Sequence, residues 1–202
     1  MIIMNSEFLI QTLSGHENVI TSLMFSSDSK YLLSGSYDQN IIKWDLEKGK
    51  LIYRFKAHNE AVRTIAIAPN SKFFVSGSSD HTAKIWNFKS GKLIKTIDYH
   101  RDAILCVLIS NDSEKIITGG SGAIKVWDAS SGQLLHDLEE GLGSPHTLAI
   151  SPVGNFVAGY GSRENINIWD YNTGKLKRKI NTNANSRPLV ITFSPLGKYI
   201  LY

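Results

Sequence analysis

Serine, histidine and aspartate recur together in this chain. Such a trio can do nucleophilic chemistry: a carboxylate orients an imidazole, which takes the proton of a hydroxyl. His16, Ser34 and Asp38 form one set, and His58, Ser76 and Asp80 form a second at the same internal spacing, 42 residues on. One active site needs one copy, and no Gly-x-Ser-x-Gly turn stands near either serine to supply an oxyanion hole. The sets therefore read as bonded structure, and no catalytic residue is expected.

Other candidate chemistry is thinner. The histidines stand one period apart (16, 58, 100) or alone (81, 136, 146), with no Cys-x-x-Cys or His-x3-His spacing, so no metal or cofactor is expected. The glycine-rich "GGSG" at 119–122 lacks the Lys-Ser/Thr of a phosphate loop and falls where a turn belongs. Glu139 and Glu140 read as a solvated loop pair, and the Asn-Asp-Ser at Asn111 as a polar turn. The basic run "GKLKRKI" at 174–180 could contact phosphates of nucleic acid or lipid headgroups. Its plainer reading is an exposed outer strand whose charges deter edge pairing.

What must position these residues is a repeat. Tryptophans stand at 44, 86, 127 and 169, spaced 42, 41 and 42. The triplet Gly-Lys/Gln-Leu keeps the same beat at 49, 91, 132 and 174, as does a turn followed by an aromatic or apolar strand start, in "SSDSKYLL", "APNSKFFV", "SNDSEKII", "SPVGNFVA" and "SPLGKYIL". Each period holds four short runs of strand character. In the first they are 19–25, 30–36, 40–46 and 50–55, separated by Asp, Asn, Ser and Gly turn residues. No window carries helical periodicity long enough to compete. The first run of a period is apolar on both faces and the fourth is polar, so each period reads as a small antiparallel sheet edge-on to an axis. Its inner strand is expected to be doubly buried and its outer strand to meet solvent. Radial repetition of such sheets is a β-propeller.

On these residues the chain resembles the WD-repeat β-propeller family, over almost its whole length. The resemblance implies an all-β fold of four-stranded antiparallel blades, with repeats at about 8–54, 55–96, 97–138 and 139–180 and a partial one at 181–202. It also implies a hydrogen-bonded brace in each blade, running from a His through a Ser or Thr and a turn Asp to the Trp. The brace maps to His16, Ser34, Asp38 and Trp44, then to His58, Ser76, Asp80 and Trp86. The third repeat keeps His100, Thr118 and Trp127, but a one-residue deletion removes its aspartate. The fourth keeps only Trp169 and its Asp170. Gly141 stands where His would be, Ala158 where Ser would be, and "GSREN" has no aspartate. Blade 4 is therefore expected to be the least rigidly held, or to be supported by different contacts. A buried imidazole, carboxylate and indole each need partners, so the repeated text is architecture and function lies in what varies.

In the resembled family one face of the disc docks peptides and partner domains. The varying residues of that face are Asn18, Thr21, Tyr37, Glu60, Arg63, Ser79, Arg101 and Asp102, with Tyr37 and Arg63 the best anchors by type. The expected function is a non-catalytic protein-interaction scaffold. The alternative is phosphoinositide or nucleic-acid binding through 174–180. The bulk numbers fit: 202 residues, 42% apolar and a net charge of +4 describe a globular chain with no bias toward polyanions. No apolar run reaches membrane-spanning length, and the start "MIIMNSEF" lacks a secretory pattern. A single cysteine, Cys106, points to a reducing compartment, so a cytoplasmic location is expected, with the nucleus as the alternative.

The strand tally comes to about four and a half blades, an incomplete ring. "FLIQTL" at 8–13 is expected to be the outer strand of a preceding blade, and "PLVITFS" at 188–194 and "KYILY" at 198–202 begin a fifth. Three readings follow: a piece of a longer propeller, which the mid-strand stop at Tyr202 favours; a five-bladed closure; or self-association of two chains through open blade edges.

Overall fold

The computed structural model describes residues 11–98, 100–120, 123–138, 147–160, 165–182 and 190–202. Among them every regular element is a strand, and no helix is long and apolar enough to cross a membrane. Blade 1 is β1 (Ile20–Phe25), β2 (Tyr31–Ser36), β3 (Asn40–Asp45) and β4 (Lys50–Lys56). Blade 2 is β5 (Val62–Ile67), β6 (Phe73–Ser78), β7 (Ala83–Asn87) and β8 (Leu93–Ile97). Blade 3 is β9 (Ile104–Ile109), β10 (Lys115–Gly120), β11 (Ala123–Asp128) and β12 (Leu134–Asp137). Blade 4 is β13 (Leu148–Ile150), β14 (Phe156–Tyr160), β15 (Asn165–Asp170) and β16 (Lys175–Asn181). A fifth sheet holds β17 (Thr192–Phe193) and β18 (Ile200–Leu201). Every sheet is an antiparallel meander in chain order.

Turn chemistry explains the repeated markers. Asp45, Asn87, Asp128 and Asp170 follow the four tryptophans, and each side-chain oxygen accepts backbone N–H groups of the next turn, from Lys48, Ser90, Ser131 and Thr173 among others. Asn87 serves because an amide oxygen accepts as a carboxylate does. The turn then closes through Gly49, Gly91, Gly132 and Gly174 at φ between 62° and 70°, where a Cβ would be strained. The marker is glycine for that reason.

The core lies between blades. Leu33 and Ile41 of blade 1 pack on Val62, Ile65, Phe74 and Trp86 of blade 2. Val75 and Ile85 of blade 2 meet Ile104, Val107 and Trp127 of blade 3, and Ile117 and Ile124 of blade 3 meet Leu148 and Trp169 of blade 4. The expected burial gradient needs correction. The second strands β2, β6 and β10 are the most buried, while the first strands β5 and β9 are only partly so. A first strand has a ladder neighbour on one side only, and its other edge opens toward the axis. The outer strands β4, β8, β12 and β16 meet solvent as expected.

The ring is open. Ile65 and Val107, equivalent by register to Leu23, are 2% and 3% exposed under the preceding blade, whereas Leu23 itself is 41% exposed. The expected strand at 8–13 falls partly outside the described residues. Its described part, 11–13, is not a strand, although Leu13 packs beside Leu32, Ile42 and Trp44.

Candidate functional site

Two braces are complete. In blade 1 the His16 Nδ1 lies 2.8 Å from Asp38 Oδ2 and its Nε2 lies 2.7 Å from Ser34 Oγ, which also accepts the Trp44 indole N–H at 2.9 Å. In blade 2 the matching distances are 3.0 Å for His58–Asp80, 2.7 Å for His58–Ser76 and 2.8 Å for Trp86–Ser76. Both aspartates also accept backbone N–H bonds, Asp38 from Glu17 and Asn40, Asp80 from Asn59 and Thr82.

The electrostatics fix the proton positions. Burial alone would raise both carboxyls, but N–H and hydroxyl donors together with the facing imidazoles outweigh it and hold Asp38 and Asp80 at about 2. Burial pushes His58 down to about 4, against the pull of Asp80, so its imidazole is neutral near pH 7. The neutral ring gives one consistent chain: Nδ1–H donates to Asp80, Ser76 O–H donates to Nε2, and Trp86 N–H donates to Ser76 Oγ. Every member is satisfied. Ser76 has the bonding of a triad serine, but it is fully buried with the indole against it, so a substrate carbonyl has no approach.

Blade 3 keeps a shortened brace, His100 Nε2 to Thr118 Oγ1 at 2.6 Å and Trp127 N–H to the same oxygen at 2.8 Å. Burial, reinforced by nearby Lys125 and opposed by Asp137, brings His100 down to about 4. Blade 4 requires a correction. Trp44, Trp86 and Trp127 pair with Leu32, Phe74 and Ile116, and the hydroxyl residue lies two positions further along its strand. Trp169 pairs with Val157, so the hydroxyl position is Gly159 and not Ala158. The Trp169 indole N–H accordingly has no partner among the described residues, although the side chain is 1% exposed. Gly141, residues 161–164, Ser121, Gly122, Glu139, Glu140 and His146 lie outside the described residues.

Of the eight face residues, the structure brings three together. Arg63 Nε donates to Ser79 Oγ at 2.7 Å, Arg63 Nη1 donates to Tyr37 Oη at 2.6 Å, and the guanidinium carbon lies 5.0 Å from the centre of the Tyr37 ring. Tyr37 belongs to blade 1 and the other two to blade 2, so the cluster spans a seam. Thr21 directs its hydroxyl at the Val62 carbonyl of blade 2 at 2.5 Å and at the Gly35 carbonyl at 3.0 Å. Asn18 and Asp102 each accept the N–H of the next residue, and Glu60 and Arg101 are exposed on their loops.

Sequence reasoning missed a pattern here. The ladder slips by one residue between Ile20 and Ser22, between Val62 and Thr64, and between Ile104 and Cys106. Thr21, Arg63 and Leu105 are the extra residues of three β-bulges, a device that re-aims a side chain. Leu105 was not anticipated, yet its 42-residue spacing from Arg63 was the available signal. Also unanticipated is Lys43, a buried ammonium 4.2 Å from the ring centre of Tyr31 and 3.7 Å from that of Phe88, donating to the Phe88 carbonyl at 2.9 Å. The basic run lies on β16 with Lys175, Lys177, Arg178 and Lys179 exposed, and Lys177 pairs with Asp170 at 3.6 Å. Asn111 is engaged, its amide donating to the Ser151 carbonyl at 3.1 Å.

Relatives share single-repeat stretches. The chain is 54% identical over 39 residues to the 66 kDa stress protein of Physarum polycephalum, covering 19% of this chain and 6% of that protein. It is 44% identical over 43 residues to the small ribosomal subunit protein RACK1 of Schizosaccharomyces pombe, covering 21% and 14%. It is 49% identical over 49 residues to the WD repeat and FYVE domain-containing protein 2 of Caenorhabditis briggsae, covering 24% and 12%. The matched stretch is thus a small part of each relative. The family described as "WD domain, G-beta repeat" matches residues 7–45, 49–87 and 91–128, more than half of the chain. With tryptophan-anchored antiparallel sheets repeating in that register, the chain belongs to the WD40 repeat family.

Proposed function

We propose that this chain is a non-catalytic scaffold that docks partner proteins on the disc face formed by the loops ahead of β1, β5 and β9 and the turns after β2 and β6. The repeats and the relatives suggest a protein-interaction role, and one relative is named as a ribosomal-subunit protein, a component of an assembly. The observation that carries the reading is the Tyr37–Arg63–Ser79 cluster. The braces beneath it are copied from blade to blade, whereas these residues are not, and an exposed Tyr beside a half-buried, pre-oriented Arg is the composition of an interface anchor. A reducing compartment, inferred from the lone Cys106, is part of the same proposal.

Affinity capture compares the protein with two variants of unchanged fold. One carries Tyr37→Ala with Arg101→Ala; the other carries Lys177→Gln, Arg178→Gln and Lys179→Gln. The face variant is expected to lose the proteins the parent retains, while the β16 variant keeps them. If the face variant retains the same set and the β16 variant loses it, the phosphate-binding alternative takes the place of this reading.

A further inference from the structure

Resting on that docking face, we infer that its partner is an acidic peptide segment, and that Arg63 is the residue that takes the carboxylate. Arg63 is the extra residue of a β-bulge, so its side chain leaves the regular alternation of β5 and is directed by the bulge. The same bulge position holds Thr21 in blade 1 and Leu105 in blade 3. The fold therefore tolerates a small polar, a cationic or an apolar side chain there, and the cation is this blade's own.

The guanidinium is already oriented. Nε is bonded to Ser79 and Nη1 to Tyr37, whose ring centre lies 5.0 Å from the guanidinium carbon. Holding it this way removes much of the rotamer entropy that binding would otherwise cost. Its neighbours are neutral, because a serine and a tyrosine hydroxyl accept hydrogen bonds without cancelling charge. Among the described residues no carboxylate lies within ion-pair distance of Arg63; three carboxylates of this face are engaged elsewhere, while Glu60 stands exposed on the loop ahead of β5. Asp38 is held by His16, Asp80 by His58, and Glu17 by Arg54. Nη2 makes no hydrogen bond among the described residues and is left for a partner. A carboxylate can take Nη2 in a charge-assisted bond, and the exposed Tyr37 ring supplies an apolar wall beside it.

A continuous polyanion fits less well. Glu60 stands exposed on the loop ahead of β5, so a backbone of closely spaced phosphates carries several negative charges past it, whereas a peptide can place one carboxylate at Arg63 with uncharged residues beside Glu60.

The test uses an immobilised degenerate peptide library with a fixed central Glu, its twin with Gln, and a single-stranded oligodeoxynucleotide as competitor. The Glu library is expected to be retained at least about tenfold more strongly than the Gln twin, as suits a charge-assisted pair. Arg63→Ala should abolish that preference and Arg63→Lys should keep only part of it, because an ammonium lacks the fork. Far-ultraviolet dichroism and tryptophan fluorescence establish that each variant is folded. Equal retention of the two libraries, no retention of either, a Glu preference that survives Arg63→Ala, or displacement by the oligonucleotide at lower concentration than by free Glu peptide each overturns the inference. Equal retention that is lost in Tyr37→Ala leaves the docking face standing and removes only its acidic chemistry.

Discussion

Ser76→Ala isolates what a brace contributes. The Ser76 hydroxyl is the shared link of blade 2, accepting the Trp86 indole N–H at 2.8 Å and donating to His58 Nε2 at 2.7 Å. Alanine keeps the backbone and the Cβ and deletes one oxygen, so packing changes little. Two polar atoms lose their partner together, and both belong to side chains that water does not reach. An unsatisfied buried group costs about 1–3 kcal/mol, and part of each loss is offset because the deleted hydroxyl was itself desolvated. The expected destabilisation is therefore about 2–4 kcal/mol. Urea unfolding followed by tryptophan fluorescence reads it as a lower midpoint at unchanged slope. Hydrogen exchange of the Trp86 indole N–H should rise at the same time, toward the behaviour of Trp169, whose N–H has no partner among the described residues in the parent protein. A midpoint within about 0.5 kcal/mol of the parent would refute the reasoning, since surface substitutions reach that size. It would mean that the brace is a geometric coincidence of well-packed blades.

Two further predictions follow from the buried charges. His58 and His100 are held at about 4 against an ordinary value of 6.5, so the unfolded chain takes up protons that the folded chain refuses. Stability should be level above about pH 6.5 and fall from there to about pH 4, by up to roughly 3 kcal/mol per histidine. Asp38 and Asp80, held at about 2 against 3.8, should add a second decline between those values. Urea midpoints across the range check both; a flat profile between pH 6.5 and 4 contradicts the buried neutral imidazoles. For Lys43, whose ammonium pKa is lowered by burial, exchange of a desolvated cation for an apolar side chain of similar length should leave stability within about 1 kcal/mol in Lys43→Met. Lys43→Ala opens the space between Tyr31, Tyr53 and Phe88 and should cost about 2 kcal/mol or more by the same assay. A Met variant as damaged as the Ala variant would show that the ammonium, and not its stem, holds the seam.

How far the sequence could be read followed from which constraint acted on each residue. The tryptophans, the turn glycines and the braces of blades 1 to 3 were legible because one geometric demand recurs each period, and only one or two residue types meet it. The hydroxyl position of blade 4 was misread by one residue because Ala158 and Gly159 are both small. Counting back from tryptophan would have resolved it, since Ser34 and Ser76 lie ten residues before Trp44 and Trp86, and Gly159 lies ten before Trp169. Lys43 was hidden for a different reason. Residue type places a lysine in solvent, and only the convergence of Tyr31 and Tyr53 from its own blade with Phe88 from the next makes its site. Thr21 and Arg63 were named from the sequence, but the bulges that hold them, and Leu105 with them, were hidden because a bulge breaks the period-2 alternation by which strands are recognised. That break is also what frees them. A side chain on either face of a blade is dictated by the neighbouring blade, as Ile65 and Val107 are, whereas the bulge position has accepted Thr21, Arg63 and Leu105 in turn. Specific chemistry can accumulate only where packing does not choose the residue, and in this chain that argument leads to Arg63.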